Sequence, residues 1–481
     1  MTTLEGARYS AGPFFIALWR TVLTYEVEIW SIRSRKNRPK PFELRWRVGT
    51  RPHSKSYKTK AQADGRRSEL LSALRDRQQF DEKSGLPASE LEALNSPTWY
   101  DHSIAYALMK WPQAAAKQRA NIAESLATVT PVFVSTSHGA PAPAVMRMAL
   151  HQWAYRAMRA SDGHLSPRAQ VESPPNEVQA ALAWLAKNSL KLNEAAKPDQ
   201  LRKALDALSL KLDGGTAAQT TIRRKRTVLN NALRFAVERG NLPANPLQRV
   251  DWAAPPNDDE VDFRFVPDAR LARALLEAVR GQGDRGEHLA GFFGCVYYAG
   301  MRPSEVAALD EKACTLPADG WGELVLANSR PEVGSGWTND GKSYEARGLK
   351  RRARNTTRSI PIPPELVRAL RQHLKQFGCA EDGRLFRAAQ GGRIRSTEYT
   401  AVWQRAREKA LTPAELASPL AAVPYSLRHA IVSLWIKAGV DPVEVARRAG
   451  HSVAVLYRFY AKVLHGTQTR ANAMIEQELG G

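Results

Sequence analysis

Four short segments in the C-terminal part of this chain carry side chains able to do chemistry. The first is Ala299-Gly300-Met301-Arg302-Pro303-Ser304-Glu305-Val306-Ala307-Ala308-Leu309. Arg302 comes just after a glycine, Gly300, with Met301 between, and precedes a proline that opens a helix, where free backbone N–H groups and the helix dipole already favour an anion. Glu305, three residues on, can orient an arginine or cap the helix. The second is Gly348-Leu349-Lys350-Arg351-Arg352-Ala353-Arg354-Asn355-Thr356-Thr357-Arg358. A basic β-hairpin of this kind can push a lysine into a groove, although a solvated loop accounts for most of its cations. The third is Pro424-Tyr425-Ser426-Leu427-Arg428-His429, and the fourth runs from Ala449-Gly450-His451-Ser452 to Tyr457-Arg458-Phe459-Tyr460-Ala461-Lys462. Each alone is unremarkable, since a Leu-Arg-His triplet arises by chance and a late tyrosine usually packs.

Taken in order and spacing, Arg302, Lys350, Arg428-His429, Gly450-His451 and Tyr460 form a pattern that resembles the catalytic signature of the tyrosine site-specific recombinases, the phage integrase family. The phrasing from Ser426 to Leu464 looks most like integrases of phages and integrative elements in high-GC bacteria. The resemblance is strong over about residues 260–470 and softer over 216–247, which looks like the last helix of a core-binding domain. It is weakest at the N-terminus, which looks like an arm-binding module.

The resemblance implies a chemistry. Charge develops on the non-bridging oxygens of a phosphodiester under attack, and two arginines can clamp those oxygens bidentately. Arg302 and Arg428 would be that clamp, and Tyr460 the nucleophile that leaves a 3′-phosphotyrosyl bond and a free 5′-hydroxyl. A phenol is a poor nucleophile near neutral pH, and nearby guanidinium charge is expected to depress its pKa. Lys350 would protonate the leaving 5′-oxygen, with Arg351 as a competing alignment. His451 would hydrogen-bond the phosphate or assist proton transfer. Glu305, Tyr425 and His429 are accessory candidates. One departure is plain: the family often has a histidine three residues before the second arginine, where this chain has Tyr425, so the base that accepts the Tyr460 proton is open. Tyr457 is the rival nucleophile, three residues from Tyr460 on an expected helix and so able to face the same side. The nine-residue spacing from His451 selects Tyr460 by the family pattern.

These side chains need a scaffold, and the surrounding pattern predicts a multidomain fold, mainly α with small β-sheets. Residues 257–481 read as the tyrosine-recombinase catalytic domain, mostly helical with strands at Glu323–Leu326 and Arg358–Ile362 and a helix opened by Pro363-Pro364-Glu365. Residues 96–256 read as a helical core-binding (SAM-like) domain, with Trp99, Trp111, Trp153 and Trp184 as core anchors. Its clearest helix spans Thr216 to Arg239, with Ile222, Leu229, Leu233 and Ala236 on one face and Gly240 as C-cap. Arg223, Arg224, Lys225 and Arg226 decorate the opposite face, either solvated or laid against DNA phosphates. A proline and acidic run from Asn245 to Glu260 reads as a linker. Residues 1–95 read as an α+β arm-type DNA-binding-like module. There Phe42, Leu44, Trp46 and Val48 alternate with Glu43, Arg45 and Arg47, which is a half-buried strand. Lys55 to Lys58 supplies a partner strand, and Ala61 to Arg75 a helix. From Ser31 to Lys60 there are eleven Lys and Arg against one acid. Arg45, Arg47, Lys55 and Lys58 are therefore expected on DNA, the bland alternative being a solvated hairpin. Arg351 and Arg352 in the later hairpin join the DNA-contact set.

Bulk composition agrees with a polyanion partner. The chain has 481 residues, enough for two to four domains, and is 43% apolar, so it can bury real cores. Its 70 Lys and Arg against 48 Asp and Glu leave a net charge of +22. That imbalance fits a nucleic-acid binder, or more blandly a ribosome-associated or merely soluble basic protein. Three scattered cysteines argue against a disulfide framework or zinc site and fit a reducing, cytoplasmic setting. Phe14 to Trp19 is cut short by Arg20 and lacks a basic lead, so neither a membrane span nor a signal peptide is expected. No cofactor is expected, and scattered histidines without an acidic triad argue against a two-metal nuclease. The resemblance implies double-stranded DNA with core and arm attachment sites, a homotetramer on synapsed DNA, and a DNA-bending host factor or directionality factor as partners. It also implies a tail, Val463 to Leu479, that docks on a neighbouring subunit through Ala473, Ile475 and Leu479, though a plain terminal helix reads equally well. The alternatives are a transposase or resolvase of a conjugative element with the same chemistry, a non-catalytic DNA-binding regulator, and a type IB topoisomerase.

Overall fold

The computed structural model of the chain describes residues 22–35, 37–253, 262–349, 356–465 and 468–479. The apolar run at 14–19, most of the expected linker's second half, and Lys350, Arg351 and Arg352 lie outside these residues. The architecture is mainly helical with small sheets, and it divides into two units: residues 1–114 with 118–255, and 115–117 with 256–481.

The first unit opens with a four-stranded antiparallel sheet: β1 (Val27–Ile29), β2 (Arg33–Ser34), β3 (Phe42–Val48) and β4 (Arg51–Tyr57). β4 pairs with β3 along its whole length, so β1 and β2 share the other edge. Period-two alternation does what it should: Leu44, Trp46 and Val48 are buried, while Arg45 and Arg47 point out. The helix α1 (Lys60–Arg75), capped by Thr59, covers the inner face with Leu70 and Ala73. Glu43 breaks the pattern, because it is buried on the outward register and held by Arg35 at 2.7 Å.

The rest of this unit is mainly helical, with two short strand pairs, and includes α2 (Trp99–Lys110), α3 (Asn176–Asn188), α4 (Pro198–Leu208) and α5 (Gln219–Glu238). Trp99, Trp111 and Trp153 are core residues. Trp184 is not: it stays half-buried, with its indole N–H donating to the His138 carbonyl at 3.2 Å. On α5 the apolar face is Ile222, Leu229, Leu233 and Ala236.

The second unit packs α6 (Ala269–Arg280), α7 (Gly283–Tyr298) and the single turn α8 (Pro303–Val306) around one apolar core. A small sheet follows, β5 (Cys314–Thr315), β6 (Gly322–Leu326) and, after the short pair β7 (Asn328–Ser329) and β8 (Arg347–Gly348), β9 (Arg358–Ile362). The β6–β9 register sets Leu324 against Ile360 and Leu326 against Arg358. Inward positions on β9 are therefore Arg358, Ile360 and Ile362, the last two packed near Leu366 and Leu370 of α9 (Pro364–Phe377). Then come α10 (Ser396–Ala410), α11 (Ser426–Lys437), α12 (Pro442–Ala449), α13 (Val453–His465) and α14 (Gln468–Leu479). On α14, Ile475 and Leu479 are exposed. Among the described residues no helix is long and apolar enough to cross a membrane.

Candidate active site

Arg302 is the last residue before α8 and is extended, as a residue before proline must be. Its backbone N–H and its guanidinium both donate to Glu305, each at 2.8 Å, and a second guanidinium nitrogen donates to the Gly450 carbonyl at 3.1 Å. One carboxylate thus caps the turn and aims the arginine, both tasks the sequence allowed it.

Glu305 is buried and has a second cation, Arg358, at 2.8 Å. Burial would raise its pKa, but Arg358, Arg302 and Arg428 together outweigh that and hold the carboxyl down at about 2. Arg358 is the residue that sequence reasoning passed over. The signal was there: a cation on an inward position of an alternating strand must find a buried acid.

Arg428 lies on α11 and is fully buried. Its two terminal nitrogens donate to the Gly300 and Ala449 carbonyls, and one of them also reaches His451 Nε2 at 2.8 Å. The two glycines flanking this cage are required by geometry. Gly450 ends α12 at φ +64°, and a Cβ there would sit 2.0 Å from the Arg358 guanidinium. Gly300 has φ +55°, and a Cβ would press on the Trp435 ring at 3.0 Å.

A guanidinium can only donate, so His451 must accept at Nε2 and carry its proton on Nδ1. That Nδ1, like Arg428 Nε, is buried with no partner among the described residues. Burial first, then the Arg428 and Arg302 charges, push the His451 pKa down to about 3, so the ring is neutral at pH 7.

Tyr460 is fully buried, and α13 breaks there: its φ of −122° and ψ of 20° are not helical. Its hydroxyl lies 2.7 Å from His429 Nδ1, and its ring is 6.5 Å from that of His451. The expected depression of its pKa is not found. Arg428 does pull it down, but burial is the larger effect and raises it. Burial, then Arg428, hold His429 down at about 4. Tyr425 stands edge-on to His429 at 5.1 Å, under the Arg428 guanidinium, and is a hydrogen-bond partner of Arg302.

Tyr457 does not share this side. It is 51% exposed, whereas Tyr460 is 0% exposed.

Arg302, Glu305, Tyr425, Arg428, His429, His451 and Tyr460 are therefore one connected cluster, while Lys350 lies outside the described residues. Among the described residues no group of three His, Cys, Asp or Glu could hold a metal ion.

The DNA-contact candidates fare unevenly. Arg45, Arg47 and Lys55 are exposed on the sheet, and Lys58 is exposed just past its last strand; Arg47 pairs with Glu28 at 3.1 Å, and Arg45 sits over Trp30. On α5, Arg224 is exposed, and Arg223 and Arg226 are half-buried, Arg226 over the Trp252 ring. Lys225 is a correction: it is buried, hydrogen-bonded to Thr128 at 3.1 Å and 3.6 Å from Glu124. It lies three residues from Ile222 and four from Leu229, on the edge of the apolar face, so it serves the fold instead of a phosphate.

No family model matches the chain, and no curated protein matches it. A structure of the Tn1549 transposon integrase with a circular intermediate DNA is similar over 64% of this chain and 96% of that one, at 17% identity and a TM-score of 0.46. A lambda integrase dimer bound to a COC′ core site matches over 89% and 94%, at 12% identity and 0.45. The site-specific recombinase XerH bound to palindromic difH substrate matches over 74% and 95%, at 12% identity and 0.43.

Proposed function

We propose that this chain is a tyrosine site-specific recombinase that cuts and rejoins DNA through a 3′-phosphotyrosyl intermediate, integrating, and in reverse excising, a phage or other mobile element. One observation carries the reading. Arg302, Arg428, His451 and Tyr460, 158 positions apart from first to last, meet in one cluster joined by hydrogen bonds and ring contacts, with donors to spare. Arg428 Nε and His451 Nδ1 are buried donors without partners among the described residues, and a buried orphan donor is costly unless a ligand takes it. An incoming phosphate oxygen is such a ligand.

In the proposed reaction Arg302 and Arg428 bind the non-bridging oxygens, and Glu305 with Arg358 hold Arg302 rigid. The Tyr460 oxygen bonds to phosphorus as the bond to the 5′-oxygen breaks. Lys350 gives the leaving oxygen its proton. The ester is conserved in the phosphotyrosine, so rejoining needs no ATP. Around this chemistry we propose an arm-type module at 1–95, a core-binding domain at 96–256 and the catalytic domain at 257–481, acting on double-stranded DNA as a homotetramer in the bacterial cytoplasm.

The test is a nicked suicide duplex carrying candidate attachment sites from the ends of the encoding element. Wild type should give a covalent protein–DNA adduct on a denaturing gel. Tyr460→Phe should abolish it, and Tyr457→Phe should leave it within about twofold. Binding to verified sites without any adduct would instead mark a non-catalytic DNA-binding protein.

A further inference from the structure

We infer that His429 is the base that takes the Tyr460 proton during strand cleavage; this rests on Tyr460 being the nucleophile. The position three residues before Arg428, where the family often has a histidine, holds Tyr425, so the proton needs another acceptor.

The cluster offers few. The Glu305 carboxylate is held by Arg302 and Arg358. The one basic nitrogen of His451 already accepts from Arg428, which leaves it only an N–H to offer. Tyr425 brings a phenol, itself engaged with Arg302. Among the described residues His429 alone puts a ring nitrogen on the reacting oxygen, at 2.7 Å, within the range for direct proton transfer.

Adjacency to Arg428 gives this base a second property. An imidazolium formed beside Arg428, one of the cations of this cluster, is disfavoured, and burial and Arg428 hold the ring neutral. A bound phosphodiester brings negative charge to the same cations and relieves that repulsion. Proton transfer from Tyr460 is thus coupled to DNA occupancy, and a phenol that burial keeps protonated stays inert without substrate. The step balances: the Tyr460 oxygen–phosphorus bond forms, the phosphorus–5′-oxygen bond breaks, the phenol proton moves to His429 Nδ1, and the leaving oxygen takes a proton from the general acid. Rejoining runs in reverse, with the imidazolium returning the proton to Tyr460.

The experiment is single-turnover adduct formation by His429→Gln on two nicked duplexes, one an ordinary phosphodiester and one with a 5′-bridging sulfur. A thiolate leaves without a general acid, so sulfur bypasses that role and not the base. We expect a loss of about 100-fold or more on both substrates, with DNA binding by gel shift within about twofold. Placing 2,3-difluorotyrosine at position 460 lowers the phenol pKa and should recover about tenfold in the His429→Gln background and little in wild type. That recovery is one a misfolded or merely mispacked variant would not give. A wild-type rate in His429→Gln, a loss cured by the sulfur leaving group, or a loss that fluorination leaves unchanged would each overturn the assignment. Absence of an adduct from the wild type itself would overturn the cleavage reading, a different and separable failure.

Discussion

The N-terminal sheet and the Tyr460 cluster are both built on arginines, and they treat the charge in opposite ways. On the sheet, Arg45 and Arg47 stand in water at alternate positions of β3, with a half-exposed Glu28 and the Trp30 ring as their neighbours. In the cluster, Arg302, Arg358 and Arg428 are buried or nearly so, and carboxylate and carbonyl oxygens take most of their donors. An exposed cation costs the fold little and can adapt to any phosphate backbone. A buried one must be paid for by fixed partners, and in return its position is fixed to a fraction of an ångström. The first arrangement suits holding DNA, the second suits chemistry on one phosphodiester.

The sharpest way to break this contrast is to remove the acid in each place. Glu305→Ala strands two buried guanidiniums and should destabilise the catalytic unit by about 3–5 kcal/mol. Glu28→Ala frees a half-exposed Arg47 and should change stability by less than about 0.5 kcal/mol. Urea denaturation of both variants decides it, and equal effects would mean that the two regions hold charge in the same way.

The two regions were also legible to different degrees. The strand β3 could be read from periodicity alone, because period-two alternation is a local property, whereas the short edge strands β1 and β2 went unread. Glu43 escaped that reading, since it is paired with Arg35, just past the end of β2. The cluster could not be read from periodicity. Its residues were picked out by resemblance to a family's signature, and what joins them is long-range: Glu305 to Arg358, Arg428 to Gly300, His429 to Tyr460. Arg358 was overlooked and the Tyr460 pKa went the wrong way for one reason: sequence shows which charges are present but not how deeply they are buried. The break in α13 at Tyr460 is equally invisible in a helical wheel.

Next in size is pH. His429 and His451 have pKa values lowered to about 4 and about 3, against about 6.5 unfolded. A histidine kept neutral in the fold contributes its full stability above its unfolded pKa and loses it as pH falls towards the folded one. At pH 5 each should cost about 2 kcal/mol relative to pH 7.5. Glu305, held at about 2, stays ionised throughout that window and does not contribute. His451→Gln should flatten the pH dependence of the urea midpoint; an unchanged slope would mean that the ring is solvated.

Smaller still is the effect at α5, where neighbouring cations divide along the same line. Lys225→Met removes a buried ammonium from Thr128 and Glu124, but Glu124 retains Arg147, so a loss of about 1–2 kcal/mol is expected. Arg224→Gln, on the exposed side, should stay within about 0.5 kcal/mol and instead weaken DNA binding. If Lys225→Met left stability unchanged and weakened binding, Lys225 would belong with the DNA-facing set after all.

The smallest stability effect should come from the largest change in charge. Replacing Arg45, Arg47, Lys55 and Lys58 together by Gln touches only side chains that stand in solvent, so the urea midpoint should move by less than about 0.5 kcal/mol. If each of the four neutralises one phosphate, the slope of log affinity against log salt should become shallower by about 3–4. Weakening should also be nearly uniform across DNA sequences, because phosphate contacts carry no base information. The adduct rate at saturating DNA should hold, since Tyr460 and its neighbours are built wholly from residues of the second unit. A lost adduct rate with intact binding would show that the sheet's exposed cations govern catalysis. An unchanged salt slope would return them to solvent, as a basic hairpin with no partner.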